Sequence, residues 1–245
     1  MIYMTKYNLN IERIPHKDLD FLLHEKVMNL PSKVDIRETM PPIYDQGQLG
    51  SCTANALCAV MQYDDNVLGS RLFLYYNERK LEHNIPDDVG ASLSDGIKCL
   101  QNYGVCPETM YPYEVEKFAD KPSQECYDEA LKHKAIIVKN ILQDVTSMKT
   151  SLYNGCPFVV GISVYESFES QEVMETGVVP MPSQGEKLLG GHAVVCIGYN
   201  DIDKVWIMRN SWGNKWGMQG NFTIPYLYLL DSSLASDLWN ISKAD

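Results

Sequence analysis

The chain has 245 residues, 45% of them hydrophobic and 22% charged, with 15 Tyr and 4 Trp, enough for one large domain or two small lobes around a substantial core rather than a disordered chain. Its net charge of -11 argues against nucleic acid or an anionic membrane as a partner, because both need a cationic face. No run of 18 apolar residues suggests a transmembrane helix, and the seven cysteines (52, 58, 99, 106, 126, 156 and 196) show neither the C-x-x-C spacing nor the flanking histidines of a zinc site.

The first thirty residues, up to Leu30-Pro31, mix charges with apolar groups such as Phe21-Leu22-Leu23 and carry no strong period. They read as an N-terminal arm or a short pro-segment. Met1 to Asn8 lacks a basic end followed by an apolar stretch and a cleavage site, so no secretory signal is expected. With an odd number of cysteines and no paired spacing, the expected compartment is cytoplasmic or otherwise intracellular and reducing, non-classical export being the other route.

Met40-Pro41-Pro42-Ile43-Tyr44-Asp45-Gln46-Gly47 is loop-like, since consecutive prolines and a glycine disfavour helix and ladder alike. Helices are expected from Ser51 to about Asn66, from Arg71 to Glu82, and from Leu93 to Tyr103 with Gly104 as the stop. Beyond about Lys134 the pattern changes to short β-branched runs at 135–138, 157–164, 193–199 and 205–208, with one helix at 145–154 between them. Helices first and strands later predict an α+β fold with two segregated halves and a site in the cleft between them.

Three segments carry candidate chemistry. Asp45-Gln46-Gly47-Gln48-Leu49-Gly50-Ser51-Cys52 brings a cysteine to a helix start, where free N–H groups and the helix dipole favour a thiolate and predict a depressed pKa; taken alone, Cys52 could equally be a small buried residue. Gly190-Gly191-His192 sets a lone histidine at the start of a strand, and most such histidines are structural. Arg209-Asn210-Ser211-Trp212-Gly213 ends a strand in a Trp-Gly turn, where an asparagine could fix a histidine tautomer. Cysteine, then histidine, then asparagine, in that chain order, is the arrangement of a cysteine peptidase.

With Gln46 six residues before Cys52, Gly191-His192-Ala193, the run Asn210-Ser211-Trp212-Gly213-Asn214-Lys215-Trp216-Gly217, and the pieces Tyr103-Gly104 and Tyr111-Pro112-Tyr113, the sequence from about Leu30 to Asn221 resembles the papain/cathepsin-type cysteine peptidases. The resemblance implies a papain-like two-lobe fold: a mainly helical lobe at about 45–133, an antiparallel β-barrel-like lobe at about 134–235 joined by 31–44, together the peptidase domain 31–245, and residues 1–30 outside it. It implies a thiol protease with Cys52 as nucleophile, His192 as base and then acid, Asn210 orienting His192, and Gln46 as an oxyanion-hole donor beside the Cys52 N–H. Trp212 would cover the Asn210–His192 contact, and Trp216 would line the leaving-group side or support that side. Gly90 and Ala91 stand where relatives have paired glycines that bond extended substrate backbone, by a mode resembling strand addition.

The expected partners are peptide or protein substrates in extended form, with cystatin-like inhibitors as candidates, no nucleic acid, no membrane, and a monomeric chain. No cofactor or metal is implied. An exopeptidase, an acyl-transferase using the same residues, and an inactive peptide-binding homologue are the alternatives.

The sequence departs from the family pattern at four places. Leu49 replaces a cysteine that secreted relatives use in a disulfide. Thr53 replaces a helix-facing tryptophan, a change expected to affect packing more than chemistry. Gly191 stands where many relatives carry a polar residue, and Ala91 adds a methyl group beside the substrate path. The main side-chain pocket is expected near Gly161 and the segment Leu229 to Leu234. If residues 1–30 enter the cleft the protein is a latent zymogen; if they pack behind the lobes it is constitutively competent.

Overall fold

The computed structural model describes residues 7–11 and 29–243. The expected features at Phe21-Leu22-Leu23 lie outside the described residues. In chain order the elements are β1 (Lys33–Asp35), α1 (Cys52–Asp65), α2 (Arg71–Leu81), α3 (Leu93–Asn102), α4 (Gln124–Ala130), β2 (Ile137–Asn140), α5 (Val145–Tyr153), β3 (Phe158–Tyr165), α6 (Gln171–Thr176), β4 (Leu188–Asn200), β5 (Val205–Arg209), β6 (Asn221–Pro225), α7 (Tyr226–Leu230) and β7 (Ala235–Ser242).

The helices start where side chains can take up the free N–H groups of a first turn. Ser70 accepts from Phe73 N, Ser92 from Asp95 N and Asp144 from Ser147 N. The first helix ends at Asn66, in the left-handed region at φ 57. Gly104 ends α3 at φ 73, its N–H donating to Cys99 O and Leu100 O; a side chain there would collide with the Ala130 carbonyl. The entrance to α1 differs. Ser51 makes no capping bond and instead contacts the Tyr113 hydroxyl at 2.6 Å, so the first-turn N–H groups next to Cys52 stay free of a side-chain cap.

The strands form one antiparallel sheet in the order β2-β7-β3-β4-β5-β6, with β1 added to β4. The sheet is not closed, so the expected barrel-like lobe is matched only loosely. Alternation along the strands divides the interior. Val159, Ala193, Val195, Ile197, Ile207 and Ile241 join the helical core around Leu57, Phe73 and Leu100, whereas Phe158, Val160, Val194, Cys196, Met208 and Phe222 join a second core with Met148 and Phe168. The cleft lies along this seam, where α1 packs against β4.

Sequence patterning places α1, α2, α3, α5 and β3 to within about two residues. It starts β4 five residues late, so His192 lies inside the strand, paired with Ile162, rather than at its start. The short β6, and β7 with its polar Ser236, Asp237 and Asn240, carry too little β-branched signal to be singled out from sequence.

Candidate active site

Cys52 opens α1 and is fully buried, with the backbone N–H groups of Ala193, Thr53 and its own residue directed at its sulfur. The Ala193 bond brings the thiol to the residue that follows His192. The ring of His192 donates from Nε2 to Asn210 Oδ1 at 2.8 Å, because an amide oxygen can only accept. That bond fixes the tautomer and leaves Nδ1 unprotonated. Nδ1 is buried and has no partner among the described residues. The N–H of Ser211 also donates to Asn210 Oδ1, which locks the acceptor in place.

Trp212 stacks on the His192 ring at 4.9 Å and 27°, shielding the Asn210 contact from water. Trp216 does not reach the histidine. It meets Trp212 edge-on at 5.1 Å and stacks on Phe168, so it supports the cover rather than forming it.

Gln46 is fully buried across the seam. Its Nε2 donates to Leu49 O at 2.9 Å, its Oε1 accepts from the Ser211 hydroxyl at 2.6 Å, and its backbone N–H donates to Ser211 O. The second amide hydrogen has no acceptor among the described residues. Two residues of this network had no role assigned from sequence. Ser211 fixes the orientation of the Gln46 amide. Tyr113 donates to Gln46 O at 3.0 Å and, through Ser51, ties the same loop to α1. Tyr113 is itself held by Arg71, whose guanidinium lies over its ring and pairs with Glu108. A serine inside the Asn-Ser-Trp-Gly run and a tyrosine inside Tyr-Pro-Tyr were both in view, but spacing alone does not say which residue they meet.

Residues Tyr7 to Ile11 occupy the cleft. Leu9 N donates to Gly191 O and Asn10 N to Ala91 O, both at 3.1 Å, with parallel bridges Asn8↔Gly191 and Leu9↔Ala91. Gly90, at φ +78, admits this strand closely: a Cβ there would come within 1.6 Å of Asn8 O. The Leu9 side chain is 6% exposed and packs against Gly161 beside Ser236, so the pocket expected near Gly161 is lined from β7 as well. Tyr7 sets its ring edge-on to His192 and Trp212, and its hydroxyl donates to Glu169 at 2.5 Å.

Burial reverses the expected ionisation. Burial pushes the Cys52 thiol up to about 12, outweighing the backbone N–H groups around it, and lowers His192 to about 4 against the opposing pull of Asn210. The depressed cysteine pKa expected from the helix start therefore does not hold in the covered cleft. With water excluded, the neutral thiol and neutral imidazole are the stable forms. No cluster of three or more His, Cys, Asp or Glu suited to a metal occurs among the described residues, and no helix there is long and apolar enough to cross a membrane.

Residues 30–228 match the model of the papain family of cysteine proteases, and the chain belongs to that family: it is a papain-like cysteine peptidase. Within the family it is similar to xylellain, a cysteine protease from Xylella fastidiosa, at 38% identity and a TM-score of 0.89 over 98% of both chains. An uncharacterized peptidase C1-like protein of Acanthamoeba polyphaga mimivirus is 45% identical over 81% of this chain and 69% of its own length. Procathepsin L of Rattus norvegicus is 26% identical over 85% of this chain and 64% of its own. The chain thus spans about two thirds of the length of these two curated relatives.

Proposed function

We propose that the protein hydrolyses peptide bonds through Cys52 and His192, and that its own residues 7–11 hold it latent until they leave the cleft. The observation that carries this reading is the His192–Asn210 bond beneath Trp212, which leaves Nδ1 without a partner while the N–H of Ala193, the next residue, reaches the Cys52 sulfur. Once the cleft opens, solvent returns and the proton passes from the Cys52 sulfur to His192 Nδ1. The thiolate attacks the substrate carbonyl carbon, forming a C–S bond. The oxyanion lies between the Gln46 amide and the Cys52 N–H. His192 then gives its proton to the departing amine as the C–N bond breaks. Water, deprotonated by the same nitrogen, releases the acyl group and regenerates the thiol.

Gly191 O and Ala91 O, which accept from Leu9 and Asn10, are the acceptors an extended substrate would use, in keeping with recognition by strand addition. The Leu9 pocket favours substrates with a leucine-sized apolar side chain. The zymogen reading is preferred over a constitutively open enzyme because the described arm residues lie on the catalytic side.

In the test, the full chain is incubated with peptide substrates and with an epoxysuccinyl inhibitor, alongside Cys52→Ala. Turnover that disappears in the variant, covalent label on Cys52, and a self-cut near Leu30-Pro31 that the variant lacks are the expected results. Label spread evenly over Cys58, Cys99, Cys106, Cys126, Cys156 and Cys196 would overturn the assignment.

A further inference from the structure

Glu78 lies on α2, fully buried, under the first turn of α1. Its Oε2 accepts a hydrogen bond from the Thr53 hydroxyl at 2.7 Å, and its Oε1 has no partner among the described residues. Gly96 of α3 makes the room: a Cβ there would come within 2.5 Å of Oε1 and 2.3 Å of a Leu57 methyl. The adjacent cation does not neutralise the carboxyl, since Arg79 gives its guanidinium to the carbonyls of Tyr75, Ile85, Asp87 and Phe118.

Besides Arg79, and His192 on β4, the proton partner of Cys52 in the proposed mechanism, the titratable groups that bear on Glu78 or Cys52 from the packed elements are potential anions. Glu82 lies on the same helix and Asp95 on α3, while Cys52 is on α1 and Cys99 on α3. An isolated buried carboxylate with one hydrogen bond is far more costly than the neutral acid. Burial accordingly pushes Glu78 up to about 8, Thr53 pulling the other way. The proton belongs on Oε1, because Oε2 is the acceptor.

Thr53 is the residue after Cys52, in the turn whose N–H groups surround the sulfur, and it stands where the family pattern has a tryptophan. We propose that Glu78 is a positioning residue for the nucleophile, acting through Thr53: as the neutral acid it tolerates a Cys52 thiolate, and when it loses its proton the buried negative charge drives Cys52 back to the thiol and closes the alkaline side of the activity window. This inference rests on the reading of Cys52 as nucleophile and adds the group that sets its upper pH limit. Two bonds break and one forms: the Oε1–H proton of Glu78 goes to solvent, and the Cys52 thiol re-forms with the proton that His192 Nδ1 had taken from it, the N–H bond breaking as the S–H bond forms. Like charges buried near one another cannot both form readily, and the Glu78 charge indeed acts to raise the Cys52 pKa.

Two readouts on the full chain separate this inference from the peptidase assignment. The first is the pH profile of kcat/KM. The second is the rate of Cys52 alkylation by iodoacetamide, followed by mass spectrometry against exposed Cys156 as an internal reference, which needs no turnover. In Glu78→Gln, the alkaline limb of kcat/KM and the Cys52 profile should both extend upward, by about one pH unit. Thr53→Val, which keeps the side-chain shape and removes the bond that helps the carboxylate, should move both in the same direction, and Thr53→Ser should restore the wild-type profile.

Should Glu78→Gln fail to fold, the Thr53 pair still decides. Profiles that stay superimposable while only overall rate or stability changes would overturn the inference, as would a downward shift. Absence of turnover in wild type with the alkylation shift intact would sink the peptidase reading and leave the Glu78–Cys52 coupling standing.

Discussion

His192 and Cys52 are equally buried, yet the groups that hold them differ in kind. The histidine stands inside a strand of a seven-stranded sheet, bonded to a neutral amide and stacked on an indole, and only burial and Asn210 shift it. The cysteine stands at an uncapped helix start, where free N–H groups favour the thiolate, while complete burial and the Glu78 carboxyl bonded to the next residue, Thr53, oppose it. The sheet side thus supplies fixed geometry, and the helix side supplies a charge balance that can be tipped. A peptidase whose nucleophile must stay silent in the covered state and ionise in the open one needs both.

The largest expected effect tests whether the bridge across these two sides is catalytic or structural. Gln46 spans them, held by Ser211 on one side and Leu49 on the other. Gln46→Ala should lower kcat by about 10²–10³-fold with little change in KM, the signature of a donor that acts on the transition state, worth about 2.7–4 kcal/mol. If KM rises while kcat holds, Gln46 is part of the substrate cradle instead.

A smaller effect separates the arm from the machinery it covers. Leu9 is the buried apolar side chain of the strand in the cleft, seated against Gly161, with Ile11 only half-buried beside Gly191. Leu9→Ala removes about 2 kcal/mol of burial from the covered state, which corresponds to about thirtyfold in the covered-to-open ratio. The initial rate of the full chain on a short peptide should rise accordingly, with the rate after arm removal unchanged. An unaltered initial rate would mean the arm does not limit access.

How much of this was legible in the sequence follows from how local each signal is. Cys52, His192 and Asn210 could be singled out because each sits in a short linear motif. Gln46 and Cys52 share one loop, Gly191 and His192 share a strand, and Asn210 and Trp212 share a turn. Helical periodicity located α1 to α3 because each buries a stripe against the sheet or its neighbours. Glu78 could not be read: inside Leu74-Tyr75-Tyr76-Asn77-Glu78-Arg79-Lys80 it looks like a solvated position on a helix, and only the packing of α3 through Gly96 shows that it is buried. The same holds for Thr53, taken as a packing change and found to hold a buried carboxyl. The arm carries no period, so its place in the cleft is a tertiary fact, and the raised Cys52 pKa follows from complete burial rather than from the helix start that suggested the opposite.

The smallest expected effect asks whether the sheet side also responds to pH through the arm. His192 is lowered to about 4 under the arm from an ordinary value of 6.5. Between those values the covered state binds fewer protons than an open one whose histidine titrates normally. Acid therefore weakens the covered state: its full advantage is present above 6.5 and is lost progressively as pH falls toward 4. At pH 5 the covered-to-open ratio should be lower than at pH 7 by about twentyfold. Hydrogen exchange at the amides of Leu9 and Asn10, which donate to Gly191 and Ala91, reads the opening directly once the intrinsic pH dependence of exchange is divided out. Protection of both amides should fall together between pH 7 and 5 in wild type and stay level in His192→Gln, whose ring-free side chain cannot take the proton. Equal loss of protection in the two proteins would place the acid response in the carboxylates that flank the arm, such as Glu169 under the Tyr7 hydroxyl, and would leave the sheet side of the site a pH-insensitive frame.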